Sequence, residues 1–286
     1  SLYVHAASRM YAMGGSTSSA NILLRGSQDM EIYGAVTAGG YNSTSGLVWT
    51  ANDATVTLRA GQQVLVDTAI TATGPVRVQT DLAPGSDDNG FGVIVGTAGG
   101  LNALGRTSGV AGSTVLIDAV GGISVMGQVT SGGAVVSQQV GGRAVEVVQW
   151  VDKESTLTLR SDAQVYLGGM AMARDGTLAE RGGTFRASQL IRIDSGVSVN
   201  GTGVKLPGTG RMVTSQEDGR IEINVLGNAE IYGLVVAGGE ITDHRDSLGA
   251  FLGSTASYFD GDSVISILAQ GQVNLGKGLV AGKLID

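Results

Sequence analysis

The 286-residue chain contains no cysteine, only three prolines and two histidines, and only 15% of its residues are charged. The absence of cysteine excludes a disulfide framework and a cysteine-ligated metal site. No apolar run approaches the roughly 18 residues that a membrane-spanning helix needs. The net charge of −7 argues against a nucleic-acid partner and against an anionic membrane, since both select basic surfaces. We therefore expect neither a nucleic-acid partner nor insertion into a membrane.

Side chains that commonly carry catalysis are also scarce. His5 and His244 are the two histidines, and neither is accompanied by the Gly-x-Ser-x-Gly turn of a serine hydrolase. The metalloprotease motif His-Glu-x-x-His, the phosphate-binding loop and a dinucleotide-binding fingerprint after a helix are absent from the sequence as well. We therefore predict that the chain is not an enzyme.

Glycine and internal repetition are abundant instead. The 47 glycines are about twice the usual share, and the phrase "EIYGAVTAGG" at 31–40 returns as "EIYGLVVAGG" at 230–239. Both phrases belong to a longer unit that occurs at 21–40, 55–74, 114–133, 156–175, 183–201, 220–239 and 264–283. Each unit reads apolar-x-apolar, a five-residue turn, apolar-x-apolar, a short turn, and apolar-x-small.

Alternation of apolar residues at a period of two is typical of short strands with one buried face. Aligned units place these residues in columns. The first column is Leu24, Leu58, Ile117, Leu159, Phe185, Ile223 and Ile267. The second is Ile32, Val66, Val125, Leu167, Ile193, Ile231 and Leu275, and the third is Val36, Ile70, Val129, Ala171, Val197, Val235 and Leu279.

Strands of three residues find no pairing partner within one unit, but stacked units pair equivalent strands at about 4.8 Å and pile like side chains into ladders. The sequence therefore predicts a single all-β domain over residues 1–286, a parallel β-helix. Apolar bursts between the units, such as those at 76–78, 93–95 and 211–213, predict extra strands or whole coils. The inserts at 81–92 and 240–262 are expected to protrude as long loops.

The stretch "VTLRAGQQVLVDTAITATG" resembles the repeats of filamentous-haemagglutinin-like adhesins and related giant bacterial surface proteins. The resemblance covers most of the chain and rests on apolar spacing plus glycine. It implies a right-handed parallel β-helix, secretion, an extracellular or cell-surface location, and a role in adhesion or as a stiff stalk. The chain begins at Ser1 without a signal-peptide pattern, so we expect a segment of a longer protein.

Four arginines suggest a first binding site. Arg25, Arg59, Arg160 and Arg186 fall at the same outward position after the first strand of their units, interrupted by Asp118. Such a basic seam could hold an acidic glycan through bidentate guanidinium contacts. The alternative is that these arginines cap turns and pair with neighbouring acids such as Asp29 or Asp162.

Two further sites are candidates. His244, Arg245, Tyr258 and Phe259 share the second long insert and form a possible recognition surface. Asp87, Asp88 and Asn89 offer hard oxygen ligands for calcium, although Asp and Asn beside Gly are also what a tight turn selects. Trp49 and Trp150 occupy equivalent places in two inserts, where they wall the core or stack against a sugar.

The expected function is that of a rigid extracellular module acting in adhesion or surface architecture. The expected partner is a host or neighbouring-cell surface or a glycan on it, with end-to-end contact to adjacent coils or to further copies. Two rivals remain. One is a polysaccharide lyase or epimerase on the same scaffold, which a cluster of Asp, Arg and Lys from three successive coils would favour. The other is a self-assembling filament. Apart from possible calcium, no cofactor is expected.

Overall fold

The computed structural model describes residues 1–15, 19–43, 46–51, 53–85, 89–105, 113–140, 143–173, 176–245, 251–259 and 261–285. Within these ranges, the side chains of 41–43, 46–47, 137–140, 143–146, 243–245, 251–254 and 284 are not described. All regular structure in the described part of the chain is β-strand, in 35 strands. None of the described residues forms a helix long and apolar enough to cross a membrane.

The strands follow one another in coils of three, and four coils carry an additional hairpin. The first three coils are β1 (Leu2–Val4), β2 (Arg9–Ala12) and β3 (Asn21–Gly26); β4 (Met30–Ile32), β5 (Ala35–Ala38), the hairpin β6 (Gly40–Ser43) with β7 (Gly46–Trp49), and β8 (Thr55–Ala60); and β9 (Val64–Val66), β10 (Ala69–Ala72) and β11 (Val76–Thr80).

The middle three coils are β12 (Phe91–Val95), β13 (Gly100–Ala103) and β14 (Thr114–Ala119); β15 (Gly122–Val125), β16 (Gln128–Ser131), the hairpin β17 (Gly133–Val140) with β18 (Arg143–Trp150), and β19 (Thr156–Ser161); and β20 (Val165–Tyr166), the hairpin β21 (Gly168–Met172) with β22 (Leu178–Gly182), β23 (Thr184–Ala187) and β24 (Leu190–Ser195).

The last three coils are β25 (Thr202–Leu206), β26 (Arg211–Thr214) and β27 (Arg220–Val225); β28 (Asn228–Ile231), β29 (Leu234–Val236), the hairpin β30 (Gly239–Arg245) with β31 (Phe251–Tyr258), and β32 (Val264–Ala269); and β33 (Val273–Leu275), β34 (Gly278–Val280) and β35 (Leu284–Ile285).

Equivalent strands of successive coils pair in parallel and build three sheets of nine strands. Sheet 1 has the order β1-β4-β9-β12-β15-β20-β25-β28-β33, sheet 2 the order β2-β5-β10-β13-β16-β23-β26-β29-β34, and sheet 3 the order β3-β8-β11-β14-β19-β24-β27-β32-β35. At about 4.8 Å per level, nine levels make a stack about 40 Å long. The predicted all-β parallel β-helix is confirmed, as are the extra strands at 76–78, 93–95 and 211–213.

The interior consists of aliphatic ladders. In sheet 3, Leu58, Val78, Ile117, Leu159, Ile193 and Ile223 lie one above the other, and each is fully buried. Each strand alternates inward and outward side chains, so one sequence burst contributes two or three rungs to the core. Burial of apolar surface at roughly 25 cal/mol per Å² makes these ladders the main stabilising term.

The predicted columns are wrong at the fourth and fifth units. Phe185 belongs to sheet 2, where it lies between Val129 and Met212, and Ile193 belongs to sheet 3 between Leu159 and Ile223. Ala171 lies on the hairpin strand β21, outside the coil. Val197, predicted as a rung of the third column, is substantially exposed in the turn after β24. The hairpin β21–β22 separates sheets 1 and 2 within the sixth coil, and gap-free alignment therefore shifted every later position of that coil.

Three hairpins, here called the face hairpins, leave the stack at the same corner between sheets 2 and 3. They are β6–β7, β17–β18 and β30–β31 in the second, fifth and eighth coils, so they recur every third coil. The fourth, β21–β22, leaves between sheets 1 and 2 and is called the side hairpin. The insert at 240–262, predicted as a long loop, is thus largely the hairpin β30–β31. In the insert at 81–92, the described residues 81–85 and 89–90 contain no strand, and β12 begins at Phe91.

Candidate binding clefts on the outer faces

The face hairpins share one root. In each of the three coils that carry a face hairpin, a glycine with a positive φ follows the sheet 2 strand. These glycines are Gly39 (89°), Gly132 (94°) and Gly238 (68°), and glycine adopts this conformation without strain. The carbonyl of each accepts hydrogen bonds from the returning chain, as from Thr50 N at 2.7 Å and Val151 N at 2.8 Å. Each of these roots contains a small-Gly-Gly triplet, at 38–40, 131–133 and 237–239, and two of the triplets end the phrase that occurs at 31–40 and 230–239.

An aromatic residue closes each face hairpin opposite the second glycine of the triplet. Trp49 pairs with Gly40, Trp150 with Gly133 and Tyr258 with Gly239. A Cβ on Gly40 would lie 2.6 Å from Trp49 Cε3, so the indole packs directly over the glycine backbone. Glycine at this place therefore leaves room for the Trp49 ring, which a Cβ would displace.

The face hairpins cover the outer surface of sheet 2. The outward residues Thr37, Thr130, Val213 and Val236 are at most 7% exposed although they face away from the core. The strand β6 packs against β2, β17 against β16, and β30 against β26. Sheet 2 therefore carries a second layer of strands outside the stack.

A cleft of about 540 Å³ lies in this outer layer between the first and second face hairpins. We call it cleft 1. Its floor is the outer surface of sheet 2 in the third to fifth coils, and Trp49 and the strand β17 stand on opposite sides. The described lining is Trp49, Ala69, Thr71, Thr97, Ala98, Gly99, Gly100, Asn102, Leu104, Gln128, Ala134, Val135 and Val136.

A smaller cleft of about 290 Å³, cleft 2, lies between the second and third face hairpins. Here the strands β18 and β30 pack against each other, which narrows the space. Trp150 occupies the place that Trp49 has in cleft 1, but Arg186 and Glu240 add opposite charges to the lining. Each cleft therefore has its own tryptophan in the wall, but the two clefts differ in volume and in the charge of their lining residues.

The predicted arginine seam lies on the outer surface of sheet 3 and has a different composition. Its column reads Arg25, Arg59, Gln79, Asp118, Arg160, Asp194, Asn224 and Leu268. Arg186 is not a member: it lies on sheet 2 between Thr130 and Val213, and its Nη1 donates to Gln128 Oε1 at 3.4 Å. The column position predicted for Arg186 is occupied by Asp194, because the alignment of the fifth unit is out of register with the coils.

Two arginines of this seam, Arg59 and Arg160, lie close to acidic side chains. Arg59 forms an ion pair with Asp81 at 2.9 Å, and Asp194 lies 2.8 Å from Arg192 and 3.8 Å from Arg160. Burial raises the pKa of Asp194, but the hydrogen bonds from Arg192 and Asn224 and the two arginine charges outweigh it, so the pKa is lowered. The expected alternative, pairing with acids, is thus found with Asp81 and Asp194 as partners.

These charges line a third cleft of about 410 Å³ on sheet 3. Asp118, Arg160 and Asp194 reach it from the fourth, fifth and sixth coils, and Asp162 joins them from the following turn. Three carboxylates and one arginine from three successive coils therefore share one face. An enzyme on this scaffold is expected to combine Asp, Arg and Lys, and the described lining of this cleft contains no lysine.

The side hairpin is tied to sheet 1 by a charged group. Tyr166 Oη donates to Glu180 Oε1, and Lys205 Nζ lies 2.6 Å from the same oxygen and 5.5 Å from the centre of the Tyr166 ring. Burial, followed by the bond to Glu180, raises the pKa of Tyr166. Burial alone would raise the pKa of Glu180, but bonds from Lys205 and Tyr166 lower it.

The predicted recognition surface on the second insert is spread along a hairpin. Tyr258 and Phe259 lie at its root and are 59% and 39% exposed. His244 and Arg245 lie near its tip, where they pair with Gly253 and Phe251, and their side chains are outside the described part. Five residues of strand, about 17 Å, separate the two pairs along the hairpin backbone.

The calcium candidates are only partly described. Asp87 and Asp88 lie outside the described residues, and Asn89 Oδ1 accepts a hydrogen bond from Phe91 N at 3.3 Å within its own turn. Among the residues that the structure describes, no group of three His, Asp or Glu side chains could hold a metal ion.

Sequence reasoning had matched Trp49 with Trp150 but missed the third copy and the clefts. A usable signal was present, because Leu58, Leu159 and Ile267 each follow nine residues after Trp49, Trp150 and Tyr258. Each of these segments also follows a small-Gly-Gly triplet. The varying length of the hairpins hid the match, since it breaks any alignment that allows no gaps.

The fold and its outer layer define a parallel β-helix protein with one face built up by regularly spaced hairpins. No family model, no curated protein and no solved structure matches the chain.

Proposed function

We propose that the chain is a rigid, extracellular, non-enzymatic module of a large bacterial surface protein, and that it presents the hairpin-covered face of sheet 2 for adhesion. The observation that carries the proposal is the recurrence of the face hairpins every third coil on one face. Stacked parallel strands supply stiffness, because each level is hydrogen-bonded to the levels on both sides.

The chemistry of sheet 2 supports this choice of face. Loops and inserts on a rigid scaffold are where binding surfaces concentrate. The face hairpins create two clefts, each with a tryptophan in its wall. The interior does not require these hairpins, because the coil strands continue through the coils that lack them. The resemblance to filamentous-haemagglutinin-like adhesins supports secretion and a partner on a host or neighbouring cell.

Hairpin removal tests the proposal. Beads coated with the chain are applied to epithelial and bacterial cells, and retention is compared with a variant in which 40–49, 133–150 and 239–258 are each replaced by Thr-Gly-Pro, the residues at 73–75 that turn the same corner. The matched control removes the side hairpin, 168–182. We expect the first variant to lose retention and the control to keep it. Equal retention by both would refute the proposal.

A specific observation favours a second candidate, an enzyme acting on an acidic polysaccharide. Asp118, Arg160 and Asp194 provide the charged group from three coils. Against it, the lowered pKa of Asp194 makes this side chain a weak base and keeps it ionised at neutral pH. Incubation with a uronate polysaccharide, followed by ultraviolet absorbance of unsaturated products, should give no signal. Product that disappears in Asp194→Asn would establish the enzyme instead.

The last coil favours a third role, end-to-end assembly. Val273 and Leu275 face inward yet are 44% and 56% exposed, whereas equivalent residues of inner coils are buried. Further coils or a second copy would cover them. Light scattering against concentration tests this role: Leu275→Glu should reduce any growth of particle size, and a chain that stays monomeric at high concentration removes the filament candidate.

A further inference from the structure

We propose that cleft 1 is a binding site for an uncharged saccharide, with Trp49 as the stacking platform and Thr71, Asn102 and Gln128 as hydrogen-bonding groups. This inference deepens the proposed function by naming a ligand class for the sheet 2 face, and it rests on that function for its biological meaning.

The charge of the lining selects the class of ligand. None of the described residues that line cleft 1 is ionisable, in a chain of net charge −7. The carboxylate of Asp67 lies behind the end wall, where its Oδ1 accepts a hydrogen bond from Ala98 N at 3.2 Å. Arg186 is likewise outside the lining, and its Nη1 donates to Gln128 Oε1. A carboxylate, sulfate or ammonium group would lose its hydration in the cleft, while both neighbouring charges already have hydrogen-bond partners in the wall. Uncharged ligands are therefore favoured.

The floor supplies neutral hydrogen-bonding groups on a flat surface. Thr71 and Asn102 are paired neighbours on the outer surface of sheet 2, and Gln128 follows Gly100 in the adjacent outward column. The Gln128 carboxamide is oriented by Arg186, whose Nη1 donates to its Oε1. Carboxamides and hydroxyls both donate and accept, as the hydroxyl groups of a sugar require.

The wall supplies the apolar surface. Trp49 is 38% exposed, and its ring packs over the backbone of Gly40. A pyranose presents C–H groups on one face, and an indole offers a large rigid surface at low entropic cost. A cleft of about 540 Å³ falls within the usual range for small-molecule sites and accommodates about two sugar rings.

Cleft 2 provides the internal comparison. It has the equivalent tryptophan, Trp150, but roughly half the volume, and Arg186 and Glu240 stand in its lining. The packing of β18 against β30 closes the space that remains open between β7 and β17. A neutral disaccharide therefore fits cleft 1, and Trp150 serves as a matched control.

The experiment begins with an array of neutral, sialylated and sulfated oligosaccharides, followed by titration of the best neutral binder. Because Trp49 and Trp150 are the two tryptophans of the chain, the Trp150→Phe protein reports on Trp49 through its fluorescence. We expect saturable quenching with a neutral oligosaccharide. We also expect at least tenfold weaker binding in Trp49→Ala and in Asn102→Ala, a change below about threefold in Trp49→Phe, and no change in Trp150→Ala.

Three outcomes would overturn the inference: no neutral saccharide binds at millimolar concentration, a charged glycan or an extended peptide binds in preference, or Trp49→Ala binds as well as the unaltered chain. Circular dichroism of each variant establishes that it is folded. Loss of cell retention on removal of the face hairpins, combined with failure of saccharide binding, would leave the proposed function intact and reject the ligand class.

Discussion

The interior of the β-helix and the outer surface of sheet 2 differ in which residue types they accept. Inside, the sheet 3 ladder keeps an aliphatic residue at every inner level, because each rung contacts the rungs above and below it. On the outer surface of sheet 2, the residues at one position of successive coils differ in chemistry. Along this column, Thr71 and Asn102 are followed by Arg186 and then by Val213 and Val236. Packing fixes the interior, while the outer surface is free to vary and can acquire binding sites.

The largest expected effect on stability comes from comparing the inward and the outward face of sheet 3. Leu159 is fully buried and Leu268 is 68% exposed, and both belong to sheet 3. Leu159→Ala should lower the free energy of unfolding by about 2–5 kcal/mol, since it removes buried methyl groups and leaves a cavity. Leu268→Ala should change it by less than about 0.5 kcal/mol. Urea titrations followed by circular dichroism measure both, and similar losses would contradict the assigned faces.

The fold was predictable because its signal repeats in every coil. Six of the seven aligned units begin with a strand of sheet 3, as the first column requires: β3, β8, β14, β19, β27 and β32. The failures at Phe185, Ile193 and Ala171 have one cause, the side hairpin, whose alternating residues resemble a coil strand locally. Local alternation cannot distinguish a strand of the stack from one outside it, because β21 shows the alternating pattern although its Met170 and Met172 are exposed.

Cleft 1 could not have been predicted from one sequence pattern. Thr71, Asn102 and Gln128 come from three coils, and the opposing wall comes from the hairpins of the second and fifth coils. Their proximity depends on register and on how far each hairpin lies over sheet 2. Trp49 alone carried a local signal, its match with Trp150, and the sequence left its role open between a wall of the core and a sugar platform.

A smaller effect is expected where the hairpin layer joins the interior. Ser155 Oγ donates to the Ser131 carbonyl at 2.6 Å, lies 2.7 Å from Ser188 Oγ, and accepts a hydrogen bond from Ser188 N at 2.8 Å, all out of contact with solvent. Ser155→Ala leaves buried Ser188 groups without these bonds and should cost about 1–3 kcal/mol in the free energy of unfolding.

The root of the first face hairpin provides the matched comparison for Ser155. There Ala54 takes the place of Ser155, and its N–H donates to Thr73 Oγ1 at 3.2 Å, as Ser155 N does to Ser188 Oγ at 2.8 Å. The double variant Ser155→Ala with Ser188→Thr copies that pair and should recover part of the loss. Exposed Ser27→Ala is the control in the same urea titration; an equal loss there would contradict the prediction.

The side hairpin should contribute a pH-dependent term. The pKa of Glu180 is lowered in the folded protein, so its contribution is present above the unfolded pKa of about 4.3 and is lost as pH falls through the folded pKa. The stability difference between the unaltered chain and Glu180→Gln should therefore be present at neutral pH and shrink below about pH 4.5. Urea midpoints across this range measure it, with exposed Glu154→Gln as control.

The smallest effect belongs to the exposed arginines of sheet 3. Arg59 and Asp81 pair at 2.9 Å, but their side chains are 47% and 45% exposed. Water and salt screen such a pair, and Arg59→Ala should leave the urea midpoint nearly unchanged. Arg25→Ala, at the neighbouring position of the same column, is the comparison. If either substitution instead abolished retention on cells without changing stability, the adhesive surface would lie on sheet 3, since sheet 2 contains neither residue.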